Sequence, residues 1–227
     1  MELNADFDAR AAVHSEQLEW RASPMKGVSR RMLDRIGDEV ARATTIVRYD
    51  PGSHFSAHTH TGGEEYIVLD GVFQDEHGDF PVGSYVRNPP TSSHTPRSDP
   101  GTVIFVKLWQ FDMADRTHVN INMNEAKAAP AECRDGVEIL PLHRDDREDV
   151  RMERWAAGAT VTVDTEGGAE FLVLDGSFEE SGETFEKHSW LRVPKGYDLS
   201  IVAGENGARV WVKTGHLDYV ITPDQVA

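Results

Sequence analysis

Thr61-Gly-Gly-Glu-Glu-Tyr-Ile-Val-Leu-Asp-Gly71 and Glu166-Gly-Gly-Ala-Glu-Phe-Leu-Val-Leu-Asp-Gly176 are two copies of one segment. The match runs on in the same register: Phe73 corresponds to Phe178, Phe80 to Phe185, Tyr85 to Trp190, Arg87 to Arg192 and Pro89 to Pro194. With a one-residue shift, Tyr49 corresponds to Trp155, and Phe105-Val-Lys107 to Trp211-Val-Lys213. Similarity at one long spacing means two copies of a domain. The chain of 227 residues divides into residues 1–125 and 126–227 on this reading.

Each copy reads as β. Ala41 to Tyr49 alternates and is rich in β-branched residues, and Glu65 to Leu69 and Thr102 to Trp109 are short apolar runs. Pro51-Gly52, Gly62-Gly63, Gly71, Gly83, Pro89-Pro90 and Pro100-Gly101 punctuate them. Many short strands joined by such turns predict an all-β sandwich or barrel for each copy. Trp20 to Arg35 is expected to add edge strands to the first copy, with Val28 and Met32 on one face. His118 to Met123 alternates and reads as a further strand that could pair with either copy.

The formal net charge is −16. Such a surface repels phosphate backbones and anionic lipids, so neither nucleic acid nor a membrane is an expected partner. It argues mildly against a strongly anionic substrate as well. No apolar run is long enough to span a bilayer, and the acidic N-terminus has no signal-peptide pattern. The single cysteine, Cys133, excludes an intrachain disulfide, and a cytoplasmic location is expected.

The chemistry-bearing cluster is His58-Thr-His60 followed by Glu64 and, after a second Gly/Pro-framed segment, His94. Alternate residues of a strand share a face, so His58 and His60 aim one way. Glu64 returns across the Gly62-Gly63 turn, and His94 comes from a neighbouring strand. Three imidazoles and a carboxylate can hold one divalent metal ion and leave open positions for a small molecule. His-x-His alone is a common accident; the complete framed set is not.

These blocks resemble the paired motifs of the cupin superfamily. The phrases Ala57-His-Thr-His-Thr-Gly-Gly-Glu-Glu65 and Gly83-Ser-Tyr-Val-Arg-Asn-Pro-Pro90 resemble the cupin domain of ChrR, the zinc-binding anti-sigma factor. The chain departs from the pattern at Thr91, where the family has Gly, and at Ser98, where it often has Asn; neither position is a ligand. The resemblance implies two tandem cupin barrels of the double-stranded β-helix, or jelly-roll, type. It implies zinc first among the metals, with iron, manganese and nickel also accepted by this ligand set. It also implies a sensor or regulatory module for a small oxygenated or reactive molecule. The alternatives are a metal-dependent dioxygenase that cleaves C–C bonds in diketones or phenolic ketones, and a purely structural metal barrel. ChrR-type proteins meet their sigma factor through a helical domain with its own His and paired Cys. Nothing in this sequence matches that domain, so direct sigma-factor binding is not expected.

The second copy replaces the four ligands with Val163, Thr165, Ala169 and Leu199 while keeping Gly176, Pro194 and Gly196. The framing therefore serves folding, and the ligands are a separable layer. This copy is expected to be a structural barrel or to support a homodimer, with a dry pocket for an apolar ligand as the alternative. Near the metal, His54 and Tyr85 are the candidates for contacts behind the ligands. Arg87 and Lys107 have counterparts Arg192 and Lys213 in the ligand-free copy, so both are assigned to the fold.

Overall fold

The computed structural model describes residues 1–38 and 40–225. The chain forms two compact all-β units. Among the described residues the only helical segments are 3-10 turns at Ser15–Gln17, His216–Tyr219 and Pro223–Gln225.

In the first unit the strands of the main sheet run in the order Glu2–Leu3, Val28–Gly37, Ala41–Tyr49, Thr102–Leu108, Glu64–Asp75, Ser84–Asn88, Val119–Asn122. In the second they run Ala129–Pro130, Val137–Arg144, Asp149–Trp155, Ile201–Thr214, Ala169–Glu180, Ser189–Val193, Ala11–His14. From the second strand onward, position answers position, as the internal repeat requires. The long strands alternate inward and outward: Tyr66, Val68, Phe73, Val86, Ile104 and Val106 form the first core, and Phe171, Val173, Phe178, Leu191, Val210 and Val212 lie in the second.

The compact units depart from the division at 125/126 in two places, of which one is residues 221–225, which belong to the first unit. Residues 6–18 belong to the second unit. Ala11–His14 pairs antiparallel with Ser189–Val193, Ala11 opposite Arg192 and Val13 opposite Trp190. Val119–Asn122 does the same for the first unit, Val119 opposite Arg87 and Ile121 opposite Tyr85. Each barrel is thus completed by a strand from the segment that precedes the other barrel. The physical reason is the open edge: unpaired N–H and C=O groups along Ser84–Asn88 and Ser189–Val193 accept any short strand that reaches them. The alternation at His118 to Met123 foresaw a strand but left its partner open.

Two backbone details explain the repeated framing. Gly71 and Gly176 sit at φ +68° and +71°, and a Cβ on either would lie 2.0 or 2.1 Å from the carbonyl oxygen of Gly101 or Gly207. Only glycine fits both demands. Thr91 sits at φ +76°, and its counterpart Gly196 at +66°. The family's glycine is therefore missed here at a left-handed position, where a β-branched residue is strained.

Candidate metal centre

The backbone brings the ligands together before any side chain is considered. His58–Thr59 pairs antiparallel with Ser93–His94, so His58 and His94 are direct cross-strand partners. His60 N–H donates to the Ser92 carbonyl at 2.8 Å, and Thr91 N–H donates to the His60 carbonyl at 2.9 Å. Glu64 opens the long central strand, opposite Asn88 on one side and Leu108 on the other.

The three histidines each offer a ring nitrogen within 4.8 Å of the others. The Nε2 atoms of His58 and His60 are 3.2 Å apart, and Glu64 Oε2 lies 3.4 Å from His60 Nε2 and 3.7 Å from His94 Nε2. All four predicted ligands therefore converge. His60, Glu64 and His94 are buried, whereas His58 is exposed at the mouth.

The inward nitrogens are positioned from behind. His94 Nδ1 faces Asp75 Oδ2 at 3.1 Å, and His60 Nδ1 faces Ser92 Oγ at 3.1 Å. Asn88 Nδ2 donates to Glu64 Oε2 at 3.3 Å. Partners of this kind fix which nitrogen is presented and raise the basicity of the ligand. Burial opposes a charge on His94, but the Asp75 hydrogen bond and the Glu64 carboxylate outweigh it and raise its pKa. At His60 burial prevails over Glu64, and the pKa is lowered, towards the neutral form a metal needs.

Whether these residues suit a metal ion is tested by one atom. His94 Nε2 is buried and has no hydrogen-bond partner. A buried ring nitrogen without a partner is costly, and an ion on the cluster side would satisfy it. Three imidazole nitrogens with one carboxylate form a set that zinc and first-row transition metals accept.

The other expected neighbours divide. His54 lines the adjoining cleft, but its ring faces Asp99 at 3.5 Å and is mostly exposed. Tyr85 is a correction. Its hydroxyl donates to Glu65 Oε1 at 2.6 Å on the face opposite Glu64 and lies away from the cluster. The reason is strand parity: Asn88, opposite Glu64, faces the site, and the odd positions 85 and 87 face away. Arg87 is there too, 3.0 Å from Asp115 and stacked on Phe111, in the structural role its repeat suggested. Trp190 repeats the Tyr85 contact by donating to Glu170 at 2.6 Å.

Sequence reasoning missed Asp75, Ser92 and Asn88. Asn88 carried a readable signal, because its counterpart is the apolar Val193, the same polar-to-apolar exchange seen at the ligands. Asp75 carried none, since its counterpart Glu180 is also acidic and is held by Arg10 at 2.8 Å.

The cluster opens onto a cleft of about 770 Å³ walled by Val47, Tyr49, Phe55, Val106, Leu108 and Trp109. The second unit has a cleft at the equivalent place, about 970 Å³ and lined by Ile139, Arg151, Val163 and Thr214, but no histidine cluster opens onto it among the described residues. Ala169 is fully buried, and Val163 and Leu199 pack against the core where His58 and His94 stand in the first.

Fold and cluster together define a tandem-barrel cupin protein with one metal-type site. Residues 8–112 match the family model of the ChrR Cupin-like domain, and this part of the chain is a cupin domain of that kind. No curated protein matches the chain in sequence. Solved structures share its fold at low identity. A candidate dioxygenase from Nostoc punctiforme is 15% identical, with a TM-score of 0.73 over 97% of this chain and 84% of that one. YlbA from E. coli is 13% identical, with a TM-score of 0.67 over 95% of each chain. A mutant of Bacillus subtilis oxalate decarboxylase is 11% identical, with a TM-score of 0.61 over 90% and 76%. Among the described residues no helix is long and apolar enough to cross a membrane.

Proposed function

We propose that the first barrel holds one divalent metal ion through His58, His60, Glu64 and His94 and takes a small oxygenated molecule from the adjoining cleft as a further ligand. The observation that carries this reading is the pairing of a convergent cluster with an open cleft of about 770 Å³, within the size range of small-molecule sites. A metal with a purely structural role would need no such access. Bound there, the ion would act as a Lewis acid or redox centre towards an oxygen donor. The chain's own part is to present the ring nitrogens through Asp75 and Ser92, hold the Glu64 carboxylate through Asn88, and line the approach with apolar walls.

As a regulatory module, the form suggested by the match to the ChrR Cupin-like domain, the barrel would sense its ligand by binding without turnover. A dioxygenase is the second reading. It is favoured by the breadth of the cleft, which has room for an organic substrate beside the cluster, and by the fold shared with the Nostoc punctiforme protein. Metal analysis of the purified chain, followed by dioxygen uptake with the iron-loaded protein across small diketones and phenolic ketones, separates them. Uptake lost in His60→Ala supports the enzyme. Ligand-dependent protection from hydrogen exchange without uptake supports the sensor. Absence of stoichiometric metal sinks both.

A further inference from the structure

We infer that the cleft of the first barrel is a site for a small organic acid with an apolar body, its carboxylate paired with Arg30. This deepens the ligand-binding reading above and rests on it.

The chain as a whole is acidic, with 39 carboxylate side chains against 23 lysines and arginines. The cleft inverts that balance. Among the described residues that line it are three cations, Lys26, Arg30 and Arg35, and one carboxylate, Glu64, which belongs to the metal cluster. Arg30 lies on Val28–Gly37 directly opposite Val47, and its guanidinium donates to the neutral Ser23 hydroxyl. No carboxylate among the described residues stands within ion-pair reach of it. Arg35 donates to the backbone carbonyls of Gly37 and Asp38, and the Asp38 carboxylate is taken by the chain's N-terminal amine at 2.7 Å.

The two arginines share the cleft because of a backbone irregularity. They are five residues apart, and strict alternation would send them to opposite faces. The register shifts between Met32 and Asp34, which inserts one residue and brings Arg35 opposite Ala43 on the cleft side. Tyr49 lines the same cleft as Arg30 and Glu64.

The second barrel supplies its own answer to what such a space receives. The residue corresponding to Val47 is Glu153. Its carboxylate takes Arg134 in a fork at 2.9 and 2.7 Å, Arg151 at 2.7 Å and the Trp155 indole at 2.7 Å. Arg30 is replaced there by Ile139. The ligand-free barrel thus places an internal carboxylate, held by arginines, at this point beside its own cleft. The metal-type barrel has Val47 at that point, an arginine across from it, and open space between apolar walls. An incoming acid would complete the same arrangement.

Calorimetry on the metal-loaded full chain tests this with matched probes, 3-phenylpropanoate and 4-methylpentanoate against their primary amides. The expected result is saturable binding of the acids, with the amides about tenfold weaker or more, since a charge-assisted pair of this kind is lost with the charge. In Arg30→Gln the acid preference disappears while metal content stays at the wild-type value. Equal binding of acid and amide, an acid preference that survives Arg30→Gln, or no saturable binding of any acid overturns the inference. Should the variant fail to fold, the acid–amide comparison on metal-stripped wild type, where no ion can take the carboxylate, decides: a retained acid preference supports the inference and its loss overturns it. Metal content measured after loading reports separately on the metal reading: protein that takes up no metal and still prefers acids sinks that reading and leaves Arg30 standing.

Discussion

The two barrels share strand order, register, glycine framing and a cleft at the mouth, yet different side chains line them. In the first, Thr45, Val47 and Tyr49 face a cleft that leads to His58, His60, Glu64 and His94. In the second, the corresponding Arg151, Glu153 and Trp155 are bonded to one another, and Val163, Ala169 and Leu199 close the place of the ligands. The same frame can therefore carry a convergent histidine cluster or an internal carboxylate already paired with arginines. What stays constant is what the backbone requires. What changes is the set of side chains that faces the cavity.

The contrast can be broken most forcefully at the ligands. His60→Ala is expected to lower metal affinity by about 100-fold or more, exceeding the effect of losing an outer partner. Metal analysis after dialysis checks this, and retention of one ion per chain would erase the distinction between the barrels. Asp75→Asn should cost about 10- to 100-fold in metal affinity through loss of the His94 contact. The matching change in the second barrel, Glu180→Gln, should leave metal content untouched, and competition with a chromogenic chelator measures both.

The buried Glu153 cluster makes its own prediction. Burial opposes the charge on Glu153, but the hydrogen bond from Arg134 and the charges of Arg151 and Arg134 outweigh it and hold its pKa below the ordinary glutamate range. A carboxyl group depressed in the folded state contributes stability that is fully present above its unfolded pKa. That stability is lost as pH falls through the lower, folded value. Glu153→Gln should thus cost about 2 kcal/mol near neutrality, by removing hydrogen bonds to charged groups, and the deficit should shrink in acid. Denaturant unfolding at several pH values reads it, and a deficit that grows in acid would contradict the assignment. The smallest effect sharpens the comparison at the backbone. Thr91→Gly restores the glycine that the second barrel keeps at Gly196 and should stabilise the chain by about 1 kcal/mol, with metal content unchanged. A thermal midpoint that falls would show Thr91 to be at ease in its left-handed conformation.

Much of this was legible in the chain, for definite reasons. The duplicated Val-Leu-Asp-Gly turns declared two barrels because glycine at a positive φ, pressed against a carbonyl, admits no substitute. The ligand set was legible because both motifs are local, and because the second copy shows the same frame with the ligands replaced. Tyr85 was misplaced because spacing gives no face until a register is known, and one step of parity separates Glu64 from Glu65.

Sequence alone thus determined the duplication, the all-β character, and the four side chains that cluster in the first barrel. Only the tertiary structure decided that Ala11–His14 completes the second barrel, that Asp75 orients His94, and that Arg30 and Arg35 share one cleft. The first group rests on repeats and short-range spacing, which a linear reading preserves. The second depends on pairing between distant segments and on a bulge that reverses side-chain parity, and neither leaves a mark on composition or period.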